Sequence, residues 1–137
     1  MKIEFFVEGI PKPAGSKRAL MKNDKIVVFD MSKNRDWKRD VQIIAKKRMN
    51  ELGMKLFEGP LRMKLTFYMP IPKHLKNKDL LFHTKKPDLT KLIRCVEDAM
   101  TGIVYVDDRY ICEQICRKYY GNKIGVEVEI SKFDNYS

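Results

Sequence analysis

The chain has 137 residues, with 28 Lys and Arg against 18 Asp and Glu and a net charge of +10; its pI is near 9.5. That length suits one domain, expected to span 1–137, and a field of that sign favours a polyanion as partner, nucleic acid first and an acidic membrane surface second. No apolar run approaches the roughly 18 residues of a membrane span, and three cysteines without a CxxC pair, with two histidines, do not make a structural zinc site.

Residues 3–9 alternate Ile3, Phe5 and Val7 with Glu4, Phe6 and Glu8 and read as a first strand. Glu4 and Glu8 also interrupt the apolar run that a secretory signal would need, so reduced thiols and a cytoplasmic location are expected. Two prolines and a glycine between Pro11 and Arg18 exclude regular structure there. A small hairpin is predicted over 19–22 and 25–29, turning at Lys22-Asn23-Asp24-Lys25. A long helix follows, with Ser32 as N-cap, Trp37, Val41, Ile44, Ala45, Met49 and Leu52 at helical spacing, and Gly53 as its stop. Residues 61–69 are the clearest strand, with Leu61, Met63, Leu65, Phe67 and Met69 on one face.

From Pro70 to Pro87 the pattern dissolves into three prolines, five lysines and both histidines; a loop this long is functional or mobile, with room for a helical turn around His74–Lys78. A second helix is expected from Asp88 as N-cap, with Leu89, Leu92, Ile93, Val96 and Met100 as its apolar stripe and Gly102 as its end. Two last strands, about 110–119 and 124–130, are predicted to form a hairpin across Tyr120-Gly121-Asn122-Lys123. The fold class is α+β (mixed α/β), two main helices packed on a mostly continuous mixed sheet.

Charge is segregated along the chain. Residues 12–48 hold twelve Lys and Arg against four Asp, and residues 73–94 hold seven against two. Residues 95–114 invert this, with Glu97, Asp98, Asp107, Asp108 and Glu113 against Arg109 alone. Basic surface binds phosphates by counterion release. An acidic centre within it would repel the same phosphates unless a cation sat there, and carboxylates suit Mg²⁺ or Mn²⁺, the arrangement that metal-assisted phosphodiester cleavage needs. Each carboxylate also has a plainer reading: Asp88 as a helix cap worth about 1 kcal/mol, and Asp107-Asp108 as a turn. A thirteen-residue helix is about 20 Å long, so Asp88 and Asp108 converge only if residues 103–106 run back along it.

The run Lys86-Pro87-Asp88-Leu89-Thr90-Lys91-Leu92-Ile93-Arg94, continuing through Asp98-Ala99-Met100-Thr101-Gly102 to Asp107-Asp108, with Gln114 beyond, resembles the RusA family of Holliday-junction resolvases. Members are small, dimeric, magnesium-dependent endonucleases, often carried by phages and prophages, marked by a K-P-D-x-D-N-L-x-K helix start, a D-A-L-x-G segment and a D-D pair. The resemblance implies that Asp88, Asp108 and Arg94 are catalytic and that Asp88, Asp108 and Asp107 hold Mg²⁺ or Mn²⁺. Arg94 replaces the family's common Lys, keeping the charge in a planar fork. Thr90 replaces a second catalytic Asp and Lys91 an Asn, so one anionic ligand is missing. With Lys12, Lys17, Arg18, Lys85, Lys86 and Lys91 on DNA phosphates, the expected activity is homodimeric, metal-dependent cleavage of four-way junctions, with no membrane partner. Two alternatives stay open: a catalytically weakened junction-binding protein, motivated by Thr90, and a metal-dependent ribonuclease.

Trp37 is read as core, His74 and His83 as loop residues, and Asp98 as the ion-pair partner of Arg94 one helical turn before it. Phe5, Phe6, Tyr110, Tyr119 and Tyr120 are candidate dimer-interface aromatics.

Overall fold

The structure, a computed structural model, describes residues 1–15, 17–30, 34–75 and 81–133. Its elements in chain order are β1 (Lys2–Glu8), β2 (Lys17–Lys22), β3 (Lys25–Asp30), α1 (Arg35–Glu51), β4 (Leu61–Met69), α2 (Leu89–Met100), β5 (Ile111–Tyr120) and β6 (Gly125–Lys132), with short 3₁₀ turns at Lys73–Leu75 and Asp108–Tyr110. The architecture is mixed α+β, as expected: a four-stranded sheet, ordered β1-β6-β4-β5, with a separate β2-β3 hairpin.

β4 organises the sheet. Its alternation puts Leu61, Met63, Leu65, Phe67 and Met69 into the core, each almost fully enclosed. β6 pairs antiparallel on one side of it and β5 parallel on the other. A parallel pair needs a crossover, which α2 supplies. The expected β5–β6 hairpin therefore does not form: the two strands flank β4 rather than each other. The connection between them crosses the end of β4, where Gly121 N–H bonds the Met69 carbonyl at 3.1 Å. Gly121 is required there by space, because a Cβ would stand 2.8 Å from the Tyr68 side chain.

The two helices pack against each other, α1 over β1 and α2 over β5. Trp37, Val41, Ala45 and Met49 from α1 and Leu92, Cys95, Val96, Ala99 and Met100 from α2 close the core. Trp37 is core as predicted. The predicted cap Ser32 lies outside the described residues; α1 begins after Asn34. The Asn34 side chain makes no cap bond and instead donates to the Pro13 carbonyl at 2.9 Å. The β2–β3 turn is as predicted, with Asn23 and Asp24 both in the left-handed region (φ 52° and 61°), which tight hairpins demand.

Of the aromatics expected at an interface, Phe5 and Tyr110 pack partly buried against the core and Tyr120 is buried. Phe6 and Tyr119 join a row with Tyr68 and Phe82, successive ring centroids 6.5, 6.2 and 5.1 Å apart. Among the described residues, no helix is long and apolar enough to cross a membrane.

Candidate active site

The charged residues of the helix start lie along α2, the crossover between β4 and β5. Because the crossover makes α2 antiparallel to β5, the start of the helix meets the end of that strand. The start of the strand correspondingly meets the end of the helix. This geometry decides which charges can meet.

At the start of α2, Asp88 is the N-cap residue, but its carboxylate makes no cap bond; the plain capping reading is not realised. Lys118 of β5 reaches beneath it and donates to the Lys85 and Pro87 carbonyls at 2.8 and 2.7 Å. Burial depresses the Lys118 pKa, and the nearby Asp88 charge works against that depression. Lys85, Lys86 and Lys91 are exposed around the same end. Lys12 is brought there by the loop after β1, whose Ala14 N–H bonds the Lys91 carbonyl at 2.8 Å. Of the predicted phosphate contacts, four therefore share one end of the helix. The Lys17 and Arg18 side chains lie outside the described set, although their backbone forms the start of β2.

At the other end stands the acidic group. Asp107 accepts the Arg109 N–H at 2.9 Å and so caps the 3₁₀ turn that carries Asp108. The Asp108 carboxyl is pushed up by burial first, then by Asp107 and Asp98. Glu97, half-buried, is also pushed up, by burial first, then by the Asp108 charge; a Gln114 hydrogen bond and Arg94 pull the other way. The Tyr105 hydroxyl, fully enclosed, donates to the Glu97 carbonyl at 2.8 Å and fixes this turn of the helix. Arg94 acts on Glu97, and among the described residues it forms no ion pair with Asp98, contrary to the sequence reading.

Asp88 and Asp98 are ten positions apart on α2, about 15 Å along the axis at 1.5 Å per residue. One chain therefore keeps Asp88 with the lysines and Asp107 and Asp108 with Glu97 and Asp98. Thr90, Arg94 and Glu97 lie at i, i+4 and i+7, the exposed helix face that joins the two ends. Among the described residues, no three His, Cys, Asp or Glu side chains stand close enough to hold a metal ion. The donor chemistry itself suits a hard cation: Glu97 and Asp108 carry carboxylates that neighbouring negative charge destabilises, and hard oxygen ligands favour Mg²⁺ or Mn²⁺.

Sequence reasoning missed three residues. Glu97 was noted only as part of the acidic run; its place one turn beyond Arg94 was the available signal. Lys118 and His83 gave none, because their roles depend on a strand pairing. His83 is only 9% exposed. Its N–H bonds the Lys118 carbonyl at 3.1 Å and its ring packs edge-on against Tyr120.

Two comparisons with known proteins give matches. The family model described as "Endodeoxyribonuclease RusA" matches residues 11–131. The "Uncharacterized protein YqaN" of Bacillus subtilis (strain 168) is 31% identical over 137 residues, covering 93% of this chain and 94% of that protein.

Proposed function

Since the chain belongs to the RusA endodeoxyribonuclease family, we propose that it is a Mg²⁺- or Mn²⁺-dependent endonuclease that cuts four-way DNA junctions as a homodimer. The observation that carries this reading is the single exposed face of α2. It runs from a lysine-rich end bearing an uncapped Asp88, past Thr90 and Arg94, to the acidic group around Asp108. Lys12, Lys85, Lys86 and Lys91 would hold backbone phosphates with little base preference. Arg94 would stabilise charge on the phosphorane or the leaving oxygen. Asp88, Asp107 and Asp108 would hold the cation, which when bound supplies Lewis-acid neutralisation of the scissile phosphate.

The separation of Asp88 from Asp108 within one chain favours the dimer. β5 is an edge strand, and among the described residues only its end is covered, by the Leu81–His83 segment. Two copies paired along residues 111–117 about a two-fold axis would run antiparallel. The Asp88 end of one would then lie toward the Asp108 end of the other, at the self-complementary contact that such symmetry requires. Sedimentation equilibrium at micromolar concentration should give twice the 16.2 kDa of one chain; a mass of one chain would remove the paired incision.

A second reading, a junction-binding protein with weakened catalysis, is favoured by Thr90, which contributes no anionic ligand. Incubating a labelled four-way junction with the protein under Mg²⁺ or Mn²⁺ titration decides between them. Symmetric nicks that require the metal support the nuclease; tight binding without nicks supports the second reading. A parallel panel of RNA substrates tests the ribonuclease alternative.

A further inference from the structure

Beside Asp88 lies a cavity of about 530 Å³. Pro11, Pro13, Pro70 and Pro87 form much of its wall, with Met69 at the end of β4 and Ile10 among the lining residues. Proline rings fix their own backbone. The loop that carries Pro11 and Pro13 is tied on both sides, by Ala14 N–H to the Lys91 carbonyl and by the Asn34 side chain to the Pro13 carbonyl. The cavity is thus preformed, of the size and apolar lining that small-molecule sites have. Lys12, Lys86 and Lys91 also line it, with Asp88 as the sole carboxylate among the described residues. Among the described residues, the remaining polar lining group is His83, nine-tenths buried, whose Nδ1 finds no hydrogen-bond partner there. The imidazole lines the cavity, while its Nδ1 is closed to solvent.

Flat apolar walls with one imidazole and a cationic surround match the parts of a nucleotide: an unsaturated ring with polar edges, and a phosphate. We propose that this cavity is a nucleotide subsite that takes one base unstacked from the branch point, with the prolines against its ring faces, His83 at its edge, and Lys12, Lys86 and Lys91 on the flanking phosphates. The inference rests on the reading of Asp88 as part of the cutting centre. It gives the enzyme a base preference that lysine–phosphate contacts alone cannot supply. Unstacking is least costly where pairing is already interrupted, which couples this subsite to branched substrates.

The test uses the full chain and four-way junctions carrying 2-aminopurine at each nucleotide flanking the branch point, in EDTA so that cleavage plays no part. Ile10 is 50% exposed, so Ile10→Trp can fill the cavity mouth without disturbing the core. At protein concentrations that saturate the junction in both cases, wild-type protein should raise the emission several-fold at one position, and Ile10→Trp should abolish that rise. With metal present, cleavage of junctions varied at that nucleotide should differ about tenfold between bases for the wild type and less than twofold for Ile10→Trp. His83→Gln should alter which base is preferred. Saturated binding with emission and base preference that neither variant changes overturns the subsite alone. Absence of junction binding by the wild type overturns the functional reading, and this subsite with it.

Discussion

The Gln114 side-chain amide of β5 donates a hydrogen bond to the Glu97 carboxylate of α2. This contact joins the edge strand to the acidic end of the helix. Together with the Arg94 charge, it offsets the repulsion on a carboxylate that also faces Asp98 and Asp108. Gln114 points that way because of a register shift at the start of β5: Leu61 pairs with Ile111, but Arg62 pairs with Glu113. The extra residue, Cys112, sets Gln114, Cys116 and Lys118 on the helix-covered face. Lys118 and Gln114 thereby reach opposite ends of α2 from one strand.

Glu97→Gln should therefore stabilise the metal-free protein. The folded state disfavours the Glu97 charge, and its raised pKa means the stability it contributes is fully present below the unfolded carboxylate pKa and is lost as pH rises from there through the folded pKa. Removing the charge should give a modestly higher Tm in EDTA near neutral pH. Adding Mg²⁺ should then stabilise the wild type more than the variant. Equal Tm values in EDTA would show that the acidic group carries no such strain.

Asp88→Asn and Asp108→Asn should each reduce junction cleavage at least a hundredfold while leaving junction binding intact or tighter, because each removes a charge that repels phosphate. A variant that cleaves near the wild-type rate would strike that residue from the cutting centre. If the two acids belong to one composite site across a dimer, a mixture of the two variants should recover part of the lost activity.

Much of the fold is legible in the sequence where a pattern is local. The alternation of 61–69, the stripes of the two helices and the Asn23-Asp24 turn each follow from neighbours within a few positions. The partners of β5 are not legible in this way. Tyr120-Gly121-Asn122-Lys123 has the composition of a hairpin turn, but a turn composition does not say whether the chain returns beside its own strand or beyond β4. The partner of Asn34 is illegible for a similar reason, since its side chain bonds Pro13, 21 residues away. At the site, Asp88 and Asp108 stand out by motif. Glu97 and His83 acquire their roles only from Gln114 and Tyr120, which the sheet brings to them.

Thr90→Asp should lower the metal concentration for half-maximal cleavage. Thr90 is exposed one helical turn before Arg94, on the face that joins the two ends of the site, so a carboxylate there adds a hard ligand without burying charge. An unchanged metal titration would assign that role to another carboxylate, Asp107 being the first candidate.

Neutralising Lys17 and Arg18 together should flatten the dependence of log K on log[salt] for junction binding. Each lost phosphate contact removes about 0.9 from the slope, so the pair should remove nearly 2. A slope unaltered by the double substitution would place the phosphate track on the Lys12, Lys86 and Lys91 end of α2 alone.

His83 predicts a loss of stability in mild acid. Burial lowers its pKa in the folded protein, and the Lys118 and Lys85 charges lower it further. The unfolded chain takes up a proton near pH 6.5, the ordinary value for histidine, whereas the folded protein resists it. Above that pH both states are neutral and His83 contributes no pH dependence. As pH falls below it, the unfolded state gains the proton first and stability drops, until the depressed folded pKa is also passed. Thermal unfolding between pH 7.5 and 5 should thus show a steeper fall in Tm for the wild type than for His83→Gln, whose side chain keeps a polar group but cannot titrate. Parallel Tm curves for the two proteins would mean that His83 protonates in the folded state as readily as in the unfolded chain, and that its enclosure beside Tyr120 opens in solution.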